Sequence, residues 1–258
     1  MAKLTQMAES KIKHILVYGP PKAGKTRMAG ALAEAKKLIW FDFERGHSTL
    51  FQLPREWQEK IEVIIIPDHR HYPMAIETAL KVIKGAPVEI CEEHGKVACP
   101  ICAKANAPTT RVCLAEADAD TVVVFDSLTQ LTNSAIANIT KGKGDDYKLD
   151  WDDWGNLGKV MDTFLGYVQA APYNVVCISH ENMVDLVDGK KKIVPVAGTS
   201  NFSRNVAKYF DEVVYAYIEN KKHKFASTTT FSNQVQTGGR SNFSLESSTE
   251  PKLLDLFK

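Results

Sequence analysis

The sequence predicts an α/β fold: a doubly wound, mainly parallel sheet built around a phosphate loop, with antiparallel edge strands near the C-terminus and a small zinc-binding insertion. Three observations predict it. Five apolar runs of strand length alternate with helix-like segments. The first run leads directly into Gly19-Pro20-Pro21-Lys22-Ala23-Gly24-Lys25-Thr26, and four of the five cysteines crowd between Cys91 and Cys113.

The first strand is His14-Ile15-Leu16-Val17-Tyr18, and the loop after it has the full G-x-x-x-x-G-K-[ST] spacing of a nucleoside triphosphate site. Gly19 and Gly24 let the backbone fold around a β-phosphate, amides at the start of the next helix are fixed donors, and Lys25 adds a point charge. Thr26 puts its hydroxyl on Mg²⁺, and Arg27 closes the nucleotide-binding stretch. A helix over 24–36 leads to a second strand, 37–43, which ends in Asp42-Phe43-Glu44-Arg45. Hydrolysis of ATP needs a group that orients water. Glu44 is placed for it, with Asp42 competing and a plain solvated pair with Arg45 as the bland reading.

A third strand spans 61–66 and a helix 73–84. The fourth, 121–125, ends in Asp126-Ser127, an acid placed to hold Mg²⁺ or its water shell; a lone strand-end acid is otherwise a cap for the helix over 128–139. After a helix over 155–171, the strand 174–179 ends at His180. From about residue 193 shorter runs, 212–218, 224–231 and 234–237, suit antiparallel edge strands.

Between the third and fourth sheet strands, over 86–116, Cys91-Glu92-Glu93-His94 and Cys99-Pro100-Ile101-Cys102 form two knuckles with ligands three residues apart. Two such turns grip one tetrahedral ion, a closed structural Zn²⁺ site. The ligand set is either Cys91, His94, Cys99 and Cys102, preferred for compactness, or a four-cysteine set that uses Cys113. Cys177, inside an apolar strand, reads as core. The 258 residues are otherwise ordinary, 44% hydrophobic and 24% charged, and read as one domain, 1–258, with the insertion inside it. A net charge of +1 gives no global field toward nucleic acid. No apolar run is long enough to span a membrane, and Met1 to Gln6 lack the apolar core of a signal peptide, so a cytoplasmic protein is expected.

The order of phosphate loop, strand ending in Asp-x-Glu, strand ending in Asp126-Ser127 and strand ending in a polar residue resembles the ATPase core of RecA-type recombinases, over about residues 12–240. The ending Ser179-His180-Glu181 resembles compact phage ATPases built on that core, several of which look like single-strand annealing proteins. The resemblance implies a RecA-like P-loop ATPase in which Glu44 activates water and His180, in place of the usual Gln, senses the γ-phosphate. Arg240, in Gln236-Thr237-Gly238-Gly239-Arg240-Ser241-Asn242, would reach a neighbouring subunit's phosphate, although the accompanying Lys is missing and a plain turn arginine fits as well.

Family members bind DNA through two loops. The segments here are Thr140 to Lys148 and Asp188 to Arg204, each with lysines near an aromatic, which suits single strands, though Asp145, Asp146 and Asp150 mix the charge of the first. The expected function is therefore a DNA-stimulated, Mg²⁺-dependent ATPase of annealing or recombination, a homo-oligomer on single-stranded DNA that works beside a single-strand binding or replication protein, in the host cytoplasm if of phage origin. The alternative is a nucleotide-switched loader or assembly ATPase with a protein partner. A small-molecule kinase would need a basic lid that the arginine-poor middle of the chain lacks.

Overall fold

The computed structural model describes residues 12–144, 146–186, 189–229, 231–240, 244–245 and 252–257. The expectations on Met1 to Gln6, Asp145, Asp188, Ser241 and Asn242 lie outside them.

The strands are β1 (His14–Gly19), β2 (Lys37–Asp42), β3 (Ile61–Ile65), β4 (Val88–Cys91), β5 (Thr109–Val112), β6 (Thr121–Asp126), β7 (Asn174–Asp185), β8 (Lys191–Pro195), β9 (Glu212–Glu219), β10 (Lys222–Ala226) and β11 (Gly238–Gly239). The helices are α1 (Lys25–Gly30), α2 (Arg55–Gln58), α3 (Ala75–Val82), α4 (Pro100–Ala105), α5 (Leu128–Ile139), α6 (Trp151–Ala170) and α7 (Ser200–Asn205). The main sheet runs β10-β9-β1-β7-β6-β2-β3. Along this order the strands are parallel except β10, which pairs antiparallel with β9; β11 and β8 add antiparallel to β9 and β7.

The strands read as unbroken apolar runs because both faces are covered. Along β1 the side chains alternate: Leu16 and Tyr18 enter the core under α3, α5 and α6, while Ile15 and Val17 enter the core under α1. Phe41, Phe125 and Phe164 anchor the first core, with ring centroids 5.2 Å apart from one to the next. The C-terminal turn closes the second core, where Leu253 and Leu256 pack beside Leu32. Register sets the functional edge: Gly19 pairs with His180, and Asp42 with Asp126, so β1, β7, β6 and β2 all end on one side of the molecule. Open α/β sheets bind ligands at that carboxyl edge.

Several local expectations are corrected. The helix expected over 24–36 is α1 followed by a 3-10 turn, Ala31–Glu34, that tightens the chain into β2. The helix expected from 155 begins at Trp151, because Asp150 and Asp153 form a reciprocal capping box. The run 212–218 is β9, parallel to β1 rather than an antiparallel edge strand. Over 234–237 there is only a bridge between Val235 and Ile193.

Between α3 and β6 the chain builds a separate two-stranded sheet, β4 with β5. Gly95 docks it on the core: its backbone is left-handed (φ +62), and a Cβ there would lie 2.7 Å from Pro67. Thr78 adds a hydrogen bond of 2.7 Å to the Gly95 carbonyl.

Candidate functional site

The phosphate loop joins β1 to α1. Gly19 is required by close approach, since a Cβ there would fall 2.1 Å from the Ala216 carbonyl oxygen on β9. Pro20 accepts from the Ala23 amide at 3.3 Å, which closes the turn through Pro21 and Lys22. Lys25 is buried at the loop's centre and donates to the carbonyls of Gly19 (2.9 Å) and Pro20 (2.8 Å). Burial holds its ammonium below the ordinary lysine range, with the carboxylates of Asp126 and Glu44 opposing. A cleft of about 340 Å³ opens over the loop, lined by Lys22, Gly24, Lys25, Thr26 and Arg27 together with Glu44, Asp126 and His180.

Asp42 and Glu44 take different roles. The buried Asp42 carboxylate accepts the amides of Glu44, Gly46 and His47 and the His47 ring, so it holds the turn after β2 and has no spare oxygen for water. Glu44 projects into the cleft. It accepts from Ser127 on one oxygen and faces His180 Nε2 at 3.4 Å on the other, rather than pairing with Arg45. Burial alone would raise its carboxyl, but the bonds from His180 and Ser127 and the Lys25 charge hold it below the usual carboxylate range.

Asp126 is 3% exposed, and its carboxylate accepts from the Thr26 hydroxyl at 3.3 Å. Burial, with the charges of Glu44 and Asp42, pushes its carboxyl up to about 8. A buried acid facing a hydroxyl, with the carboxylates of Glu44 and Asp42 nearby and the Lys25 ammonium only partly offsetting them, is a donor set that fits Mg²⁺. Asp126 is not the cap of α5: Ser127 is, accepting from the Gln130 amide at 3.2 Å.

His180 ends the part of β7 that lies in the main sheet. Its ring sits between Lys25 Nζ, 3.5 Å from Nδ1, and Glu44. Those partners assign the proton to Nε2, which donates to Glu44 while Nδ1 accepts from Lys25. Sequence reasoning missed Ser127, Thr49, Gln52 and His223, which also line or brace the cleft. The Ser127 cap was readable from a serine before an apolar helical run. His223 was not, because only the β9–β10 pairing brings it to within 3.0 Å of the Ala23 carbonyl.

Arg240 and the two segments expected as DNA loops lie outside the phosphate cleft. Arg240 is at the opposite end of the sheet, paired with Asp211 at 2.9 Å, and Asp211 itself accepts from the amide that starts β1. Arg240 therefore takes no part in its own chain's phosphate site. The segment expected as a second DNA loop is a hairpin, β7 with β8, followed by α7, and Phe202 stacks on Tyr209 at 6.0 Å. In the first, Lys143 lies 4.0 Å over the Tyr147 ring and pairs with Asp153 at 3.0 Å, so this lysine and aromatic are engaged with each other.

The second cluster lies in the insertion. Ligand atoms of Cys91, His94, Cys99 and Cys102 lie within 4.8 Å of one another, with His94 Nδ1 3.1 Å from Cys102 Sγ and 3.8 Å from Cys99 Sγ. The edges of a tetrahedral Zn²⁺ site with sulfur and imidazole ligands are about 3.5–3.8 Å, so this set fits the ion. Backbone amide donors, that of Cys102 foremost, hold the Cys99 thiol down to about 7, whereas burial pushes Cys102 up to about 12. Cys113 is outside the cluster, its thiol 3.6 Å from the Gly85 carbonyl, which decides between the two expected ligand sets. Cys177 is fully buried in β7.

Among the described residues no helix is long and apolar enough to cross a membrane. No curated protein matches the chain by sequence. Among solved structures the fold is similar to one described as a prototypical ATPase from the type III secretion system of pathogenic bacteria, at 12% identity and a TM-score of 0.46. That match covers 80% of this chain and 52% of the other, so the chain spans about half the length of that structure. A family model described as "AAA domain" matches residues 11–243. With a complete phosphate loop at the carboxyl edge of a mainly parallel sheet, the chain belongs to this AAA domain family of P-loop ATPases.

Proposed function

We propose that the protein is an Mg²⁺-dependent ATPase that binds single-stranded DNA in annealing or recombination. One observation carries the catalytic part: Lys25, Thr26, Glu44, Asp126 and His180 come from four strand ends and meet in one cleft. Lys25 turns from the loop carbonyls to the β- and γ-phosphates, and loop amides complete the cradle. Glu44, held ionised, positions a water in line and accepts its proton. His180, touching both Lys25 and Glu44, reports whether the γ-phosphate is present. Thr26 and Asp126 would hold Mg²⁺, which when bound neutralises phosphate charge.

The DNA part rests on the resemblance to RecA-type cores and on the β7–β8 hairpin. That hairpin starts one residue beyond His180 and carries Lys191 and Lys192. The Cys91-His94-Cys99-Cys102 set holds a structural Zn²⁺ that stiffens the insertion at 86–116, within a single domain. A homo-oligomer on DNA, with Arg240 serving a neighbouring copy, is part of the same reading.

A second reading, a nucleotide-switched loader acting on a protein partner, is favoured by one feature. Trp151 is 91% exposed at the start of α6, with the exposed Asp150 and Asp152 beside it, which suits a protein surface better than a phosphate backbone. Steady-state ATP hydrolysis with and without single-stranded DNA, at two salt concentrations, tests the choice. Salt-sensitive stimulation is expected; an unchanged rate would favour the loader.

A further inference from the structure

The 3-10 turn after β2, Gly46–Gln52, is a wall shared by two cavities. Thr49 and Gln52 face the nucleotide cleft, while His47, Leu50 and Phe51 line a hollow of about 260 Å³ against Ile61 and Val63 of β3. β3 ends the main sheet, so the hollow lies at that edge. Its apolar lining is contiguous, and Phe51 is 71% exposed. Around it Arg55 is taken up by Glu59 at 3.5 Å, and Lys60 bonds the Glu34 carbonyl at 3.0 Å. The exposed Glu56 and Glu62 have no partner among the described residues.

The opposite edge has the converse pattern. β9 and β10 are joined by Asn220 and Lys221, both left-handed (φ +52 and +61), as a two-residue hairpin turn requires. Glycine suits the second position best, so Lys221 puts a charge at the tip at a cost in backbone strain. Ile218, 52% exposed, stands opposite His223 in the hairpin. Lys224 is held by Glu219, whereas the exposed Lys221 and Lys222 have no partner among the described residues. One edge thus offers an apolar knob with free ammonium groups, the other an apolar hollow with free carboxylates.

We propose that the knob of one copy seats in the hollow of the next, Ile218 against Phe51 and Val63, with Lys221 and Lys222 along the edge that carries Glu56 and Glu62. The two surfaces lie at opposite edges of the sheet, so the contact is head-to-tail and propagates into a ring or a filament. It gives the homo-oligomer of the proposed function its contact and rests on that part of the reading, not on DNA. It also links neighbouring sites. On the knob side His223 Nδ1 lies 3.0 Å from the Ala23 carbonyl in the phosphate loop. On the hollow side the His47 ring bonds Asp42, which holds the turn that carries Glu44.

The test is sedimentation velocity of the full chain over a concentration series, with Mg²⁺ and a non-hydrolysable ATP analogue and without DNA. The wild type should assemble as concentration rises, less so at high salt. Ile218→Asp and Phe51→Asp each disable one side and should weaken assembly about tenfold or more. Their equimolar mixture keeps one intact knob and one intact hollow, so it should form dimers and nothing larger. Thermal melting shows whether each variant folds; should either misfold, Lys222→Glu changes only a surface charge and should also weaken assembly, and Glu56→Lys should restore it. Folded variants that assemble like the wild type, or a mixture that stays monomeric, would overturn this contact and leave the oligomer to another surface. A wild-type chain that is monomeric at every concentration would overturn both.

Discussion

His180 Nε2 lies 3.4 Å from Glu44 Oε2, so the strand between the phosphate loop and Asp126 touches the residue placed to activate water. The contact joins the two halves of the site before any nucleotide enters. Removing His180 removes a donor that holds the Glu44 carboxyl low, so that carboxyl must rise. His180→Ala is therefore expected to lower turnover and to move the acid limb of the kcat/KM profile to higher pH, since more of Glu44 is protonated at a given pH. A profile of unchanged position would separate His180 from the chemistry.

Glu44 and Asp42 are both strand-end acids, yet their substitutions should differ in kind. Glu44→Gln keeps hydrogen bonding and loses the base, so ATP should still bind while turnover falls by about 10²- to 10⁴-fold. Asp42→Ala leaves three amides without their acceptor, and the fold should lose about 2–4 kcal/mol, seen in urea unfolding. Lys25→Ala should abolish tight nucleotide binding. Full ATPase activity in that variant would refute the site.

The sheet was legible because continuous apolar runs mark strands buried on both faces, and the phosphate loop and Asp126 followed from spacing. Position across the sheet was not legible. The direction of β9, the hairpin at β7–β8, and the arrival of His223 over the phosphate loop all depend on which strands pair, and local sequence does not encode pairing. The same limit hid the partner of Arg240: its neighbours in sequence resemble a family motif, while its pairing with Asp211 is set by the fold.

Asp126 should make the empty protein sensitive to alkali. Its folded pKa, about 8, exceeds the ordinary carboxylate value, so between roughly pH 4 and 8 the folded chain holds more of this proton than the unfolded chain. Stability from this group therefore falls as pH rises through that window and is flat above it. Urea unfolding with a chelator at several pH values should show the slope, and Asp126→Asn should reduce it. Mg²⁺ with nucleotide supplies the missing positive charge, so their binding at pH 7 should release a proton that calorimetry in two buffers can count.

The insertion offers the sharpest metal test, because its four ligands and its bystander thiol are close in sequence and separate in space. If Cys91, His94, Cys99 and Cys102 hold one ion, protein purified without added metal should carry about one zinc per chain. Cys102→Ser should then lose the metal, because its Sγ lies 3.1 Å from His94 Nδ1 at the centre of the cluster. Cys113→Ser should keep it, since that thiol lies outside the cluster, 3.6 Å from the Gly85 carbonyl. The melting temperature should fall on chelation in the wild type and hardly move in Cys102→Ser, which has nothing left to remove. Gly95 and Thr78 tie the knuckle to the main core, so this loss of stability should be read by the whole chain rather than by the insertion alone. Metal-free wild-type protein with all five thiols titratable in the folded state would leave the insertion a fold of its own packing.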